Sequence, residues 1–190
     1  MKKDHLSFQR RPFLTPIWLT AIAAVLALSF AFFAAWVWMT AGSTTVIVIR
    51  HAEKDLSVGA VDPPLTQAGE SRAALLARMF GDARVFGHVD AIYASPALRN
   101  RLTAAPLAAR LGISVTVAPA DDPQGLARRV LREHRGGRVL IVGHTDTVPR
   151  IVAELSGDSK IPEIDDREYG TMYIVSVPRI GHANVLRLNY

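Results

Sequence analysis

The chain has 190 residues, 22 Lys and Arg against 17 Asp and Glu for a formal charge of +5, 49% hydrophobic residues and no cysteine. That length suits one domain with an appendage, and the missing thiols exclude disulfide scaffolds, thiolate metal sites, iron–sulfur clusters and cysteine nucleophiles. Frequent apolar runs and a charged fraction of only 21% exclude a disordered chain.

The basic residues are unevenly spread. Lys2, Lys3, Arg10 and Arg11 face only Asp4 in residues 1–12, a net +3 that leaves +2 for the remainder. The high charge is therefore mostly a topology signal, and no stripe of Lys or Arg interleaved with aromatics marks a nucleic-acid surface. From Ile17 to Met39 no side chain is charged, and only Thr20 and Ser29 are not hydrophobic. A helix of that length runs to roughly 35 Å at ~1.5 Å per residue, enough to cross a hydrocarbon core of about 30 Å. Trp18 at one end and Trp36 and Trp38 at the other suit the headgroup zone. The pattern predicts a cytoplasmic basic tail (1–16), a single transmembrane anchor (17–39), a short linker (40–43) and a folded domain (44–190). Positive charge on the N-terminal flank keeps that flank inside, so the protein is expected in the inner (cytoplasmic) membrane with its domain periplasmic or otherwise extracytoplasmic. A cleaved signal peptide is the competing reading, although its apolar region is usually only about 7–15 residues and Met-Thr-Ala before Gly42 is a weak cleavage site. Arg10-Arg11-Pro12-Phe13-Leu14 also resembles a twin-arginine export signal, which leads to the same side.

Beyond the linker, strands and helices alternate. Thr44 to Ile49 is a β-branched apolar run of the kind that is buried on both faces of a sheet. Gln67 to Phe80 reads as a helix capped by Thr66 and stopped by Gly81, with Leu75, Leu76, Met79 and Phe80 on its inner face. There follow a strand (Val89 to Tyr93), a helix (Pro96 to Leu111) closed by Gly112, a strand (Ile113 to Val117), and a helix (Gln124 to His134). A buried strand (Val139 to Val142), a helix (Thr147 to Leu155) and a terminal pair (Met172 to Val177, Asn184 to Leu188) complete the series. This alternation predicts a three-layer α/β/α sandwich with a mainly parallel sheet.

In such folds ligands bind beyond the carboxyl ends of the strands. The first strand ends in Arg50-His51-Ala52-Glu53-Lys54, the second in Tyr93-Ala94-Ser95-Pro96-Ala97-Leu98-Arg99, and the later buried strand in Gly143-His144-Thr145. Arg, His, Arg and His thus reach one rim from three strands. Ser95-Pro96 alone is a good helix start. Arg99 falls in the first helical turn, where the macrodipole disfavours a cation, so an anionic partner is expected. Two guanidiniums match phosphate oxygens, and the helix starts near Pro96 and Asp146 offer free N–H groups to the same anion. Nearby like charge keeps an imidazole unprotonated, and a neutral imidazole is a competent nucleophile toward phosphorus. The constellation reads as phosphoryl transfer through a phosphohistidine.

Arg50-His51-Ala52-Glu53, Leu65-Thr66-x-x-Gly69, Ser95-Pro96-x-x-Arg99 with Thr103-Ala104, and Gly143-His144 resemble, in that order, the motifs of the histidine phosphatase (phosphoglycerate mutase-like) superfamily. The resemblance runs from Thr44 to the C-terminus. It implies that His51 is the phosphorylated nucleophile, that Arg50, Arg99 and His144 bind the phosphoryl group, that Lys54 and Thr145 are secondary contacts, and that the enzyme is a phosphoric monoester hydrolase of the histidine acid phosphatase type. Glu53 is expected to hold its loop. Only 45 positions separate Arg99 from His144, which resembles the compact phosphohistidine phosphatase branch. No metal or other cofactor is expected.

Family members with strong monoesterase activity commonly carry a Glu or Asp after the third strand to protonate the leaving group. Here that loop reads Ala118-Pro119-Ala120-Asp121-Asp122-Pro123. Asp121 or Asp122 is one candidate acid, with capping of the next helix as the plainer role; Asp146 is another. Two further readings stand beside the enzyme: an anchored phosphate-binding module of the same fold without turnover, and a metallohydrolase on His51, His144 and Asp146. Thr40 to Ser43 spans at most about 14 Å, so an uncleaved domain works close to the bilayer and phosphorylated lipids or saccharides are the favoured substrates. A reporter fused after Tyr190 is expected to be active only outside the cytoplasm; a cytoplasmic signal would reverse the topology.

Overall fold

The computed structural model describes residues 17–40, 42–82 and 87–190; the expected cytoplasmic tail lies outside the described residues. The described residues divide into two units between Trp38 and Met39. In the first, α1 (Ile17–Thr40) is a 24-residue helix with no apolar stripe, because it is apolar all round. Trp18 to Trp38 has a mean hydropathy of 2.2 and none of it is buried. By length and composition this helix is able to cross a membrane.

The second unit carries β1 (Thr44–Arg50), a short 3-10 turn (Leu56–Val58), α2 (Gln67–Phe80), β2 (Ala91–Ala94), α3 (Leu98–Leu111) and β3 (Val115–Val117). These are followed by α4 (Pro123–Glu133), β4 (Arg138–Gly143), α5 (Thr147–Ser156), β5 (Thr171–Val177) and β6 (Asn184–Asn189). The strands form one six-stranded sheet in the order β3-β2-β4-β1-β5-β6. β2 pairs in parallel with β3 and β4, and β4 with β1; β5 runs antiparallel to both β1 and β6. The sheet is mainly parallel, as the alternating pattern predicts.

Strand periodicity builds the three layers. Val46 and Val48 of β1 and Val139 and Ile141 of β4 join Leu126, Val130, Ile151, Val152 and Leu155 on one face. Their neighbours Ile47, Ile49, Leu140 and Val142 pack against Leu76, Phe80, Ala104 and Leu107 on the other. Side chains alternate between faces along a strand, so continuous apolar runs are what a doubly covered sheet requires. Helices α4 and α5 thus cover one side, α2 and α3 the opposite side.

The element bounds depart from the expected ones by a few residues, and one helical face is corrected. The buried residues of α2 are Gly69, Ala73, Leu76, Ala77 and Phe80, whereas Met79 is 37% exposed. The helix rolls toward Gly69 because it touches main chain there. A Cβ at position 69 would lie 2.4 Å from the Glu53 carbonyl oxygen. Thr66 caps the same helix by accepting from the Gly69 N–H at 3.1 Å, and its own N–H donates to the Glu53 carbonyl at 2.9 Å. Leu65-Thr66-x-x-Gly69 is therefore the seam that holds α2 against the loop leaving β1. Replacing Gly69 with Ala is expected to lower domain stability by about 1–3 kcal/mol, because forcing a methyl into fixed backbone outweighs alanine's better helix propensity; equilibrium unfolding of wild type and G69A measures it.

Candidate active site

Three neighbouring parallel strands bring their carboxyl ends to one level. Arg50 pairs with Gly143 across β1 and β4, and Ala94 with Val142 across β2 and β4. His51, Ser95 and His144 are the next residues on each strand, so the adjacency β2-β4-β1 alone gathers them. The His51 N–H donates to the Gly143 carbonyl at 3.0 Å, extending the β1–β4 ladder into the site. The two imidazole centroids lie 5.5 Å apart, edge to face.

His51 is 3% exposed. Its Nδ1 sits 2.8 Å from its neighbour's carbonyl, that of Ala52. A carbonyl only accepts, so Nδ1 carries the proton and Nε2 keeps a free lone pair. Burial, joined by the charges of Arg99 and Arg50 and by His144, brings the His51 pKa from 6.5 down to about 4, against the Ala52 bond, which favours protonation. Ala52 is itself fixed: its N–H donates to Thr103 Oγ1 at 2.9 Å, while the Thr103 hydroxyl donates to the Arg99 carbonyl at 2.7 Å.

Arg50 is 3% exposed, and its Nη1 donates to the carbonyls of Asp165, Asp166 and Glu168 at 2.9–3.2 Å. Its guanidinium carbon lies 4.2 Å from the Tyr169 ring centroid, a cation–π contact. Arg99 approaches Asp62 at 3.4 Å and His144 Nδ1 at 3.4 Å. His144 Nδ1 accepts from Arg99, which leaves its Nε2–H to donate to Ser95 Oγ at 2.8 Å. Burial first, then Arg99, hold the His144 imidazole below its ordinary range, with Asp146 opposing. The Nε atoms of both Arg50 and Arg99 are buried without a hydrogen-bond partner. Guanidinium donors left unpaired beside a neutral imidazole give this end of the site the chemistry to receive an anion.

A cleft of about 1130 Å³ opens over these groups. Arg50, His51, Lys54, Arg99, His144, Thr145 and Asp146 all line it. Asp121 and Asp122 do not. Asp122 caps α4, accepting from the Gly125 N–H at 2.7 Å, and the capping role is the one its position supports. Asp146 stands at the start of α5 but makes no side-chain capping bond. Glu53 is bound by Arg72, whose Nε and Nη2 reach the carboxylate at 2.7–3.0 Å. Burial alone would raise the Glu53 carboxyl, but the Arg72 bonds overcome it and hold it below the ordinary range. Among the described residues no group of three His, Cys, Asp or Glu side chains is arranged to hold a metal.

Several contributors escape sequence reasoning. Ser95 is not the helix cap expected from Ser-Pro: α3 starts at Leu98, and Asp62 supplies the cap by accepting from the Leu98 N–H at 2.8 and 3.0 Å. Asp62 is thus also the anion expected opposite Arg99. Asn100 is fully buried and its amide donates to the Val142 and Gly143 carbonyls, both at 3.0 Å, tying α3 to the strand end that carries His144. A buried polar residue inside a motif was the available signal for Asn100. Tyr169 and the carbonyls of 165–168 had none, since their arrival depends on the antiparallel seating of β5.

The family model of the histidine phosphatase superfamily (branch 1) matches residues 46–120. Among solved structures, the protein histidine phosphatase SixA complexed with tungstate superposes with a TM-score of 0.62 at 20% identity, over 76% of this chain and 96% of that one. A mycobacterial glucosyl-3-phosphoglycerate phosphatase superposes with a TM-score of 0.61 at 16% identity, over 77% of this chain and 99% of that one. At such identities the likeness establishes the fold. No curated protein matches the chain in sequence.

The buried, cation-flanked environment has a titration consequence. His51 stays neutral until pH falls through about 4, well below the ordinary 6.5. Arg99→Met removes one of the charges opposing protonation, so the midpoint should rise part of the way toward 6.5, burial still holding it down. Histidine-resolved NMR titration of both proteins reads the two midpoints; a wild-type value near 6.5 would contradict this electrostatic account.

Proposed function

We propose that the protein, whose residues 46–120 match the family model of the histidine phosphatase superfamily and whose fold is that of a protein histidine phosphatase, hydrolyses a phosphomonoester through a phosphohistidine on His51. The observation that carries this reading is the 2.8 Å contact between His51 Nδ1 and the Ala52 carbonyl, which assigns the tautomer. With Nδ1–H bonded to the Ala52 carbonyl, Nε2 presents a lone pair in a pocket whose buried guanidinium Nε donors have no partner.

Arg50 and Arg99 bind the phosphoryl oxygens and orient phosphorus for in-line attack, with His144 Nδ1 held by Arg99 beside them. The His51 Nε2 lone pair forms the N–P bond as the bond from phosphorus to the leaving oxygen breaks. Positive charge that develops on the imidazole is stabilised by the Ala52 carbonyl at Nδ1–H. The leaving alkoxide takes a proton from Asp146, which lines the cleft and makes no capping bond. Water then attacks phosphorus, gives its proton back to Asp146 and releases His51 and inorganic phosphate. From the loop before β5, Ser159, Ile161, Glu163, Ile164, Asp165 and Asp166 also line this cleft.

We further assign the work to the extracytoplasmic side of a membrane, through anchoring by residues 17–39. The basic flank and the helix Trp18–Trp38 support that assignment. Phosphates of lipids or saccharides are the substrate classes it favours.

The full-length protein in detergent is expected to turn over a chromogenic phosphomonoester in the presence of chelator. His51→Ala should abolish turnover and the acid-labile label that rapid quenching traps on wild type. Tight phosphate binding without hydrolysis of any ester would favour the binding-module reading; restoration of chelator-lost activity by a divalent ion would favour the metallohydrolase.

A further inference from the structure

The cleft is much larger than a phosphoryl group requires, and at about 1130 Å³ it exceeds the roughly 300–1,000 Å³ of sites that enclose whole small ligands. Its chemistry changes along its length. Arg50, His51, Arg99 and His144 form one end. From there Asp146, at the N-cap of α5, and Pro149, Arg150 and Ala153 within it form the wall. Steps of three and four residues put these on one helical face. At ~1.5 Å per residue, Ala153 stands roughly 10 Å along the helix from Asp146.

The loop between α5 and β5 adds Ile161 and Ile164. Ile164 is 4% exposed and shares an apolar cluster with Ile151, Val152 and Leu155, and Ile161 packs against that cluster. The distal part of the cleft is therefore an outcrop of the core. Around it, Arg150, Glu163, Asp165 and Asp166 are exposed.

We propose that this outcrop is a leaving-group subsite, and that the substrate is a phosphomonoester whose alcohol carries an extended apolar body, selected by Ala153 and Ile161. The inference rests on the phosphatase reading above and narrows its substrate class. A hydroxyl-rich leaving group would lie over a floor of Pro149, Ala153, Ile161 and Ile164, whose side chains offer no hydrogen bond to desolvated hydroxyls, and would find partners only at the exposed rim, in Arg150, Ser159 and Glu163. A small carboxylate-bearing one would meet Glu163, Asp165 and Asp166, three carboxylates against the single guanidinium of Arg150 in this part of the cleft. An alkyl or prenyl-like chain suffers neither penalty, and each methylene withdrawn from water is worth up to about a fourfold gain.

The test uses the full-length protein in lipid nanodiscs and the series ethyl, butyl and octyl phosphate. kcat/KM is expected to rise at least tenfold from ethyl to octyl. Ala153→Asp and Ile161→Asp should bring the octyl-to-ethyl ratio close to one; partitioning of long esters into lipid is common to all three proteins, so the change in ratio reads the subsite. Ala153→Ser, a milder change, should lower the ratio by a smaller factor and covers the case in which the aspartate variants fail to fold. A flat series in wild type, or an unchanged ratio in the variants, overturns the proposal. Titration with ethyl- and octylphosphonate separates its failure from that of the phosphatase reading: chain-length-dependent affinity without hydrolysis of any ester keeps the subsite and removes the enzyme, and equal affinities remove the subsite. Phosphatidic acid placed in the nanodisc bilayer distinguishes the source. Its turnover identifies a membrane lipid, and turnover of the free series alone identifies a soluble apolar ester, both in support of the subsite.

Discussion

The hydrogen bond from His51 Nδ1 to the carbonyl of Ala52 decides which ring nitrogen is free, and much of the molecule serves to hold the four residues around it. Arg50 is clamped by three carbonyls of the 165–168 segment, and the His51 N–H continues the ladder to Gly143. The Ala52 N–H is taken by Thr103. Glu53 is held at its carbonyl by Thr66, at its carboxylate by Arg72, and by the bare backbone face of Gly69. Each motif in the sequence is thus a different hand on the same short loop. A histidine buried beside two guanidiniums is costly to protonate, and this scaffold fixes the ring so that the cost falls on the imidazolium rather than on the fold.

Arg50 and Arg99 are held by different means, which matters for their charge. Arg50 is held by main-chain carbonyl dipoles and an aromatic face, and its nearest carboxylate is Asp166 at 3.8 Å, 91% exposed. Its positive charge is oriented without being neutralised. Arg99 leans on Asp62, a half-exposed carboxylate already committed to the first N–H of α3. Neither arrangement saturates the donors, and an anion entering the cleft finds both guanidiniums already aimed.

What was legible in the sequence follows the range of the interactions concerned. The buried strands were legible because a doubly covered strand must be apolar on consecutive residues, and α2 because Thr66 and Gly81 bracket it. Arg50, His51, Arg99 and His144 could be grouped because parallel strands present their carboxyl ends to one edge. Periodicity alone places Met79 on the inner face because it carries no information on the tight backbone contact at Gly69. Ser95 reads as a cap because the local rule is sound; it lost to a histidine 49 positions away, and Asp62 took the capping role from 36 positions away. Asp122 kept its local role, since its partner lies only three residues on. Local chemistry was readable, and choices between local and distant partners were not.

The sheet order also sets a schedule for the chain. β1 lies between β4 and β5: Thr45 faces Arg138, and Ile49 faces Met172. The loop carrying His51 is therefore made early and completed late, when segments some ninety and one hundred and twenty positions downstream have paired with it. Such long-range closure slows folding. It also means that no half-synthesised chain contains the assembled cleft, so competence arrives in one step with the fold itself.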